Sequence, residues 1–171
     1  RNGLVDFGIG NAEKTMPGIT IESIMEETFF VVLPQHHPLA KHDVLQLRDL
    51  INTPLISMPV ESGLRRFIDS AAAKAGIKLT HSVVTNQYSS LFSFIANGLG
   101  ISIVPSSVVP PTDEKVFVVR PLTPSINRRI CVMYLSDRPL NVVCEAFLRT
   151  LRPLLINATG YNQKPFPHPN L

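Results

Sequence analysis

Between Pro54 and Pro105 the chain alternates solid apolar runs with amphipathic helical patterns, and no other feature limits its possible folds so strongly. Pro54-Leu55-Ile56-Ser57 is a short apolar run stopped by Pro59, Val83-Val84 centres a second, and Ile101 to Val104 makes a third, closed by Pro105. Behind a capping Ser62, Leu64, Phe67, Ile68, Ala71 and Ala75 fall at i, i+3, i+4, i+7 and i+11. This predicts a helix with Arg65, Arg66, Asp69 and Lys74 turned outward and Gly76 as its stop. Thr85 and Asn86 offer capping side chains ahead of Leu91, Phe92, Ile95 and Leu99, a second helix ended by Gly98-Leu99-Gly100. Strands apolar along their whole length are covered on both faces, so the segment reads as an α/β lobe around a parallel sheet.

The flanks read as strands and one further helix. Val5, Phe7 and Ile9 alternate with Asp6 and Gly8 in a short strand that leaves its sheet at Gly10-Asn11. Ile19 and Ile21 lead into Thr28 to Leu33, one long extended segment closed by Pro34 and long enough to cross between lobes. His36 to Ala40 is a turn and Leu45 to Leu50 a short helical turn. After Pro110-Pro111, Val116 to Val119 is a strand and Arg129 to Leu135 a second long extended run. Val143, Ala146, Phe147, Leu151, Leu154 and Leu155 make a final helix whose last turn Pro153 should kink or fray. From 157 to 171, with Gly160, Pro165, Pro167 and Pro169 and few aliphatics, a flexible tail is expected.

Composition removes several classes of function. With 44% hydrophobic and 17% charged residues, against roughly 25% charged in soluble domains, the chain buries a real core. Its longest apolar runs, such as Phe29 to Leu33, fall far short of the ~20 residues that cross a bilayer. The net charge is only +3, and Arg65-Arg66 and Arg128-Arg129 are scattered pairs, not a nucleic-acid stripe. Cys131 and Cys144 share no metal-type spacing and read as buried reduced thiols. His36, His37 and His42 lack a third ligand spaced to close a tetrahedral site, so no metal and no cofactor is expected. No G-x-S-x-G elbow, H-E-x-x-H or supported Cys-His pairing points to an enzyme. Residue 1 is Arg and no leader precedes the first strand, so the sequence reads as a fragment.

The local candidates for binding come from sheet geometry. In open parallel sheets, ligands gather at the carboxyl ends of strands, where helix N-termini present free N–H groups and a positive dipole end. Thr85, Asn86, Gln87 and Tyr88 stand at such a strand-to-helix turn and suit a carboxylate, the plain alternative being that Thr85 or Asn86 merely caps its helix. Ser57, after another strand and facing that turn, and Gly10 and Asn11, after the first, follow by the same argument, the alternative being ordinary loop groups. Phe30 lies on the first long extended run and could line a cleft if register turns it that way.

In order along residues 3 to 152, several segments resemble the effector-binding domain of LysR-type transcriptional regulators. Gly3 to Ile9 resembles the family's G-x-hydrophobic-D-x-G-I strand, Glu27 to Leu33 its crossover strand, and His37-Pro38-Leu39-Ala40 its HPLA turn. Leu47 to Ile51 is similar to its L-x-D-L turn, Ile95 to Pro105 to its V-A-x-G-x-G-I-x-x-L-P segment, and Phe147 to the Phe of its C-terminal helix. The resemblance implies a type 2 periplasmic-binding-protein-like α/β fold: two lobes joined by two crossover strands, the first lobe built incompletely from 1–30 and 131–156 and the second from 31–130. It implies a cytoplasmic sensor that binds a small organic anion in an interlobe cleft, with effector contacts in the turn at Thr85 to Tyr88. Such a sensor pairs as a homodimer or higher oligomer through lobe helices such as 62–75, and meets DNA only through an N-terminal winged helix-turn-helix that this chain lacks. Some relatives carry a basic residue on the first crossover, whereas this chain has Glu22, Glu26 and Glu27 there, which counts against aromatic diacids. The rival readings are a solute-binding protein of a transport system and an enzyme on the same scaffold.

Overall fold

The computed structural model describes residues 5–12, 15–109 and 116–158. Of the tail expected over 157–171, residues 157 and 158 belong to the last helix and those from 159 onward lie outside the described residues. The strands are β1 (Phe7–Asn11), β2 (Ile19–Pro34), β3 (Leu45–Gln46), β4 (Leu55–Ser57), β5 (His81–Val84), β6 (Ser102–Pro105), β7 (Phe117–Thr123) and β8 (Asn127–Leu135). The α-helices are α1 (Gly63–Lys74), α2 (Tyr88–Ala96) and α3 (Val142–Ala158), with 3-10 turns at Pro38–Lys41, Leu47–Leu50 and Ser106–Val108. The chain divides into two compact units, Arg1–Glu27 with Asn127–Leu171, and Thr28–Ile126.

In the 28–126 unit, the second half of β2 pairs antiparallel with β6, from Phe29 opposite Pro105 to Val32 opposite Ser102, and with β7, from Phe30 opposite Pro121 to Pro34 opposite Phe117. β3 joins β7 in parallel, and β4 runs parallel to β5. Ile56 N–H donates to Ile101 O at 2.8 Å, tying β4 to the entry of β6. The pairing is therefore mixed: β4 and β5 show the parallel pairing read from the sequence, and Leu55 bridges Ile101 in parallel, but β6 itself pairs antiparallel with β2. Side chains alternate along β2, so Phe29, Val31 and Leu33 fall on one face and join Leu55, Ile68 and Ile101 in the core. Phe67 of α1 stacks on Phe29 with ring centroids 5.4 Å apart, which fixes the helix over that face. Burying residues such as Phe29 and Leu33, both fully inaccessible, stabilises the unit by roughly 1.5–3 kcal/mol each.

The other unit pairs β1 antiparallel with β8, Phe7 opposite Tyr134 to Asn11 opposite Ile130. Asn141 Oδ1 accepts the Cys144 N–H at 2.9 Å and so caps the start of α3, while Phe7 meets Phe147 at 6.0 Å. Arg152 Nη2 donates to Glu22 Oε2 at 2.6 Å, holding α3 to β2. The helix carries Pro153 inside it and continues to Ala158. Cys131 and Cys144 are free thiols, both buried. Glu27, only 3% exposed, takes a bond of 2.7 Å from Arg128 Nε.

Candidate functional site

β4 ends at Ser57, and the register that sets Ser57 beside Val84, the last residue of β5, brings Thr85 just after it to the same edge. Thr85 N–H donates to Ser57 O at 3.0 Å, so the two predicted positions meet across the strand ends. The predicted capping is different. Thr85 Oγ1 accepts the Gln87 N–H at 3.3 Å, which folds the turn, and α2 starts at Tyr88 behind Gln87, whose side chain makes no cap bond. Asn86 and Gln87 are exposed, Thr85 and Tyr88 half-buried. The start of α2 thus keeps its positive dipole end without a capping side chain. Ser62 likewise makes no side-chain cap bond at the start of α1.

Arg65 corrects the sequence reading most clearly, because it does not turn outward. Its side chain, 14% exposed, folds back so that Nη1 donates to Ser57 Oγ at 3.0 Å and to Met58 O at 3.4 Å. Its Nε donates to Asp69 Oδ2 at 2.6 Å, and His81 Nε2 bonds Asp69 Oδ1 at 2.9 Å. Since a carboxylate only accepts, that ring nitrogen carries the proton and Nδ1 is left as an acceptor. Nδ1 of His81 is buried with no hydrogen-bond partner among the described residues. A hollow of about 350 Å³, counting its part open to solvent, lies against these groups. Ser57, Arg65, His81 and Tyr88 line it together with apolar side chains such as Leu55, Ile68 and Leu91.

Burial, then the charge of Arg65, holds the His81 imidazole below its ordinary range, against the opposing pull of Asp69. His37 is lowered by burial as well, and its Nδ1 accepts the Leu39 N–H at 3.2 Å to start a 3-10 turn. Between the usual value near ~6.5 and these depressed folded values, the unfolded chain binds more protons than the folded one. Stability therefore rises with pH through that window and levels off above it. Thermal unfolding is expected at lower temperature near about pH 5.5 than near about pH 7.5, with His81→Gln reducing the difference. An identical slope in the variant would show that His81 plays no part.

The remaining predicted residues stand elsewhere. Gly10 and Asn11 are paired inside β1, opposite Cys131 and Ile130, and not in a loop after it. A Cβ on Gly10 would meet Met133 Cε at 3.5 Å, ordinary contact distance. Phe30 is buried in β2, paired with Val104 and Pro121, in the 28–126 unit that also holds Ser57 and Thr85. Arg65, Asp69 and His81 were not among the predicted site residues. The only signal for them was an i,i+4 Arg–Asp pair beside the apolar stripe of α1. Among the described residues, no group of three or more His, Cys, Asp or Glu side chains is placed to hold a metal ion. No helix of the described residues is long and apolar enough to cross a membrane.

Comparison with known proteins decides the family. The model of the LysR substrate binding domain matches residues 1–155. The chain belongs to the LysR family. It is a domain of transcriptional regulators and not of enzymes, with the mixed α/β, type 2 periplasmic-binding-protein-like fold of LysR regulatory domains. It is 30% identical over 152 residues to the uncharacterized HTH-type transcriptional regulator YfeR of Shigella flexneri, a match covering 89% of this chain and 49% of that protein. The chain thus spans about half the length of the curated relatives it matches. Among solved structures, the CcmR regulatory domain of Synechocystis PCC6803 in complex with 2-PG aligns with a TM-score of 0.76 at 18% identity, over 90% of this chain and 74% of that one. The effector binding domain of QuiR in complex with shikimate aligns with a TM-score of 0.70 at 24% identity, over 94% and 73%.

Proposed function

We propose that this LysR domain is the ligand sensor of a cytoplasmic DNA-binding regulator and that it holds a small organic anion at the corner made by Ser57 and Thr85 to Tyr88. The observation that carries this reading is the bond from Thr85 N–H to Ser57 O, which gathers two strand ends beside a helix start without a side-chain cap. A carboxylate or phosphate there would accept N–H bonds and gain the favourable end of the α2 dipole. The dipole contributes ~0.3–2 kcal/mol, so apolar walls must supply most of the roughly 4–8 kcal/mol of a millimolar to micromolar complex. Relatives solved with 2-PG and with shikimate support the class of ligand. Coupling of ~1–3 kcal/mol between ligand and domain arrangement would be enough to signal, relayed through a dimer to a DNA-binding segment.

The test is titration of a panel of small carboxylates and phosphates, 2-PG and shikimate included, read by thermal shift and calorimetry. Thr85→Ala and Asn86→Ala are each expected to weaken the best binder about tenfold or more, the loss of one hydrogen bond to a charged group. Unchanged affinity in both variants would remove this corner from the site.

A further inference from the structure

We propose that the unit formed by 1–27 and 127–171 is an interface between two copies of this chain. β1 pairs antiparallel with β1 of the second copy about a two-fold axis at Ile9, and the exposed row of α3 packs beside its counterpart over the joined sheet.

A helix with two apolar rows beside an open strand edge makes the surface. α3 sets Cys144, Leu148, Leu151 and Leu155 at i, i+4, i+7 and i+11, and this row is turned inward, the first two buried and the last two half-buried. One residue ahead the same spacing runs again through Val143, Phe147, Thr150 and Leu154, and this row faces out, with Val143 77% and Phe147 54% exposed. A helix with one partner needs one such row. Phe147 meets Phe7, so the outer row lies on the side of β1. β1 is the last strand of its sheet and, among the described residues, pairs with β8 alone. Its outer edge therefore presents unpaired backbone N–H and C=O groups. Ile9, two residues after Phe7, points to the same face as α3 and is exposed as well.

The edge is complementary to itself. Antiparallel pairing centred on Ile9 sets Phe7 opposite Asn11, Gly8 opposite Gly10 and Asp6 opposite Ala12, so the whole strand finds a partner and no like charges face each other. Within Phe7–Asn11 there is no charge, proline or bulge of the kind that keeps edge strands apart. The two-fold axis stands perpendicular to the sheet, which brings both α3 helices to one face with their Phe147 rings over the strands that meet. A lone foreign strand would cover the edge and leave the α3 row bare, whereas a second copy covers both. Val5, Ile9, Val142, Val143, Phe147 and Leu154 are all exposed, and together they offer on the order of 400 Å² of apolar side chain per copy. Two copies, strand edges included, thus reach about the 1,000 Å² that a specific interface needs. This surface is separate from α1, which belongs to the other unit.

Sedimentation velocity on the intact chain, up to about 100 μM, is expected to show a reversible equilibrium between one and two copies. Ile9→Lys, which sets two like charges opposite each other, and Phe147→Asp should each raise the dissociation constant at least about tenfold. Val60→Asp, at an exposed position of the 28–126 unit, is the control and should leave it unchanged. Ile9→Cys reads the register. Directly opposed Cβ atoms lie roughly 4.5–5.5 Å apart, close to the span of a disulfide, so mild oxidation should link most of this variant into a covalent dimer. Asn11→Cys should stay unlinked, its counterpart being about 13 Å away along the strand. The unaltered chain, with Cys131 and Cys144 buried, gives the baseline. A chain that stays monomeric to about 100 μM, association that runs past two copies, a dimer that ignores either Ile9→Lys or Phe147→Asp, or linking by Asn11→Cys and not by Ile9→Cys overturns the proposal. Should Ile9→Lys fail to fold, the contrast between the two cysteine variants decides.

Discussion

Gly100→Ala is expected to destabilise the 28–126 unit by about 3 kcal/mol or more, the range of clashes and forbidden backbone conformations in a packed interior. Gly100 has φ +154, which side chains rarely adopt, and a Cβ there would lie 2.5 Å from the backbone oxygen of Pro54. That oxygen already accepts the Ile101 N–H at 3.2 Å, next to the bond from Ile56 N–H to Ile101 O at 2.8 Å. The methyl group would therefore push apart the junction of β4 with β6, on which Ser57 depends for its position. At 2–4 °C per kcal/mol for a chain of this size, the midpoint should fall by about 6–12 °C. Gly98→Ala is the control: Gly98 also has a positive φ, +75, but a Cβ there meets nothing within 4 Å. It should cost only about 1 kcal/mol. Similar losses in the two variants, measured by thermal and urea unfolding, would refute the close approach of Pro54.

The second large effect is expected at Arg128. Arg128→Met removes the guanidinium that bonds Glu27 at 2.7 Å and leaves a carboxylate that is 3% exposed. Breaking a buried ion pair from one side costs about 3–5 kcal/mol, because the surviving charge keeps its desolvation penalty. Replacing both partners is different, and Glu27→Leu with Arg128→Met should recover most of the loss. Unfolding of the two single variants and the double variant completes the cycle. A double variant as unstable as Arg128→Met would mean that the pair's geometry, and not the stranded charge, is what matters.

How far the sequence discloses this molecule depends on whether a feature is local. The 16-residue β2 is readable in advance because its β-branched and aromatic run has no helical caps and ends at a proline. The helix at 63–74 is readable from its apolar spacing, and the meeting of Ser57 with Thr85 follows from strand order alone. Glu27 is not readable: Glu26 and Glu27 are adjacent and alike, and only the return of the chain to Arg128 a hundred and one residues later distinguishes them. Gly98 and Gly100 both pass as a helix stop, yet only the first ends α2, while the second is required by the carbonyl of Pro54, just before β4. Arg65 is hidden for the same reason. A helical wheel places it next to the buried stripe, but its inward turn depends on Ser57, Asp69 and His81, two of them on other elements.

Arg65 and Asp69 ride one turn apart on a single rigid rod, and through them α1 grips Ser57 on one strand and His81 on the next. A small roll of that rod would slacken both grips in the same motion. Anything that grasps its outer side, where Arg66 and Ser70 are exposed, therefore has a lever on the polar groups beneath, and anything bound at the strand ends beside Ser57 pulls on the same lever from the other end.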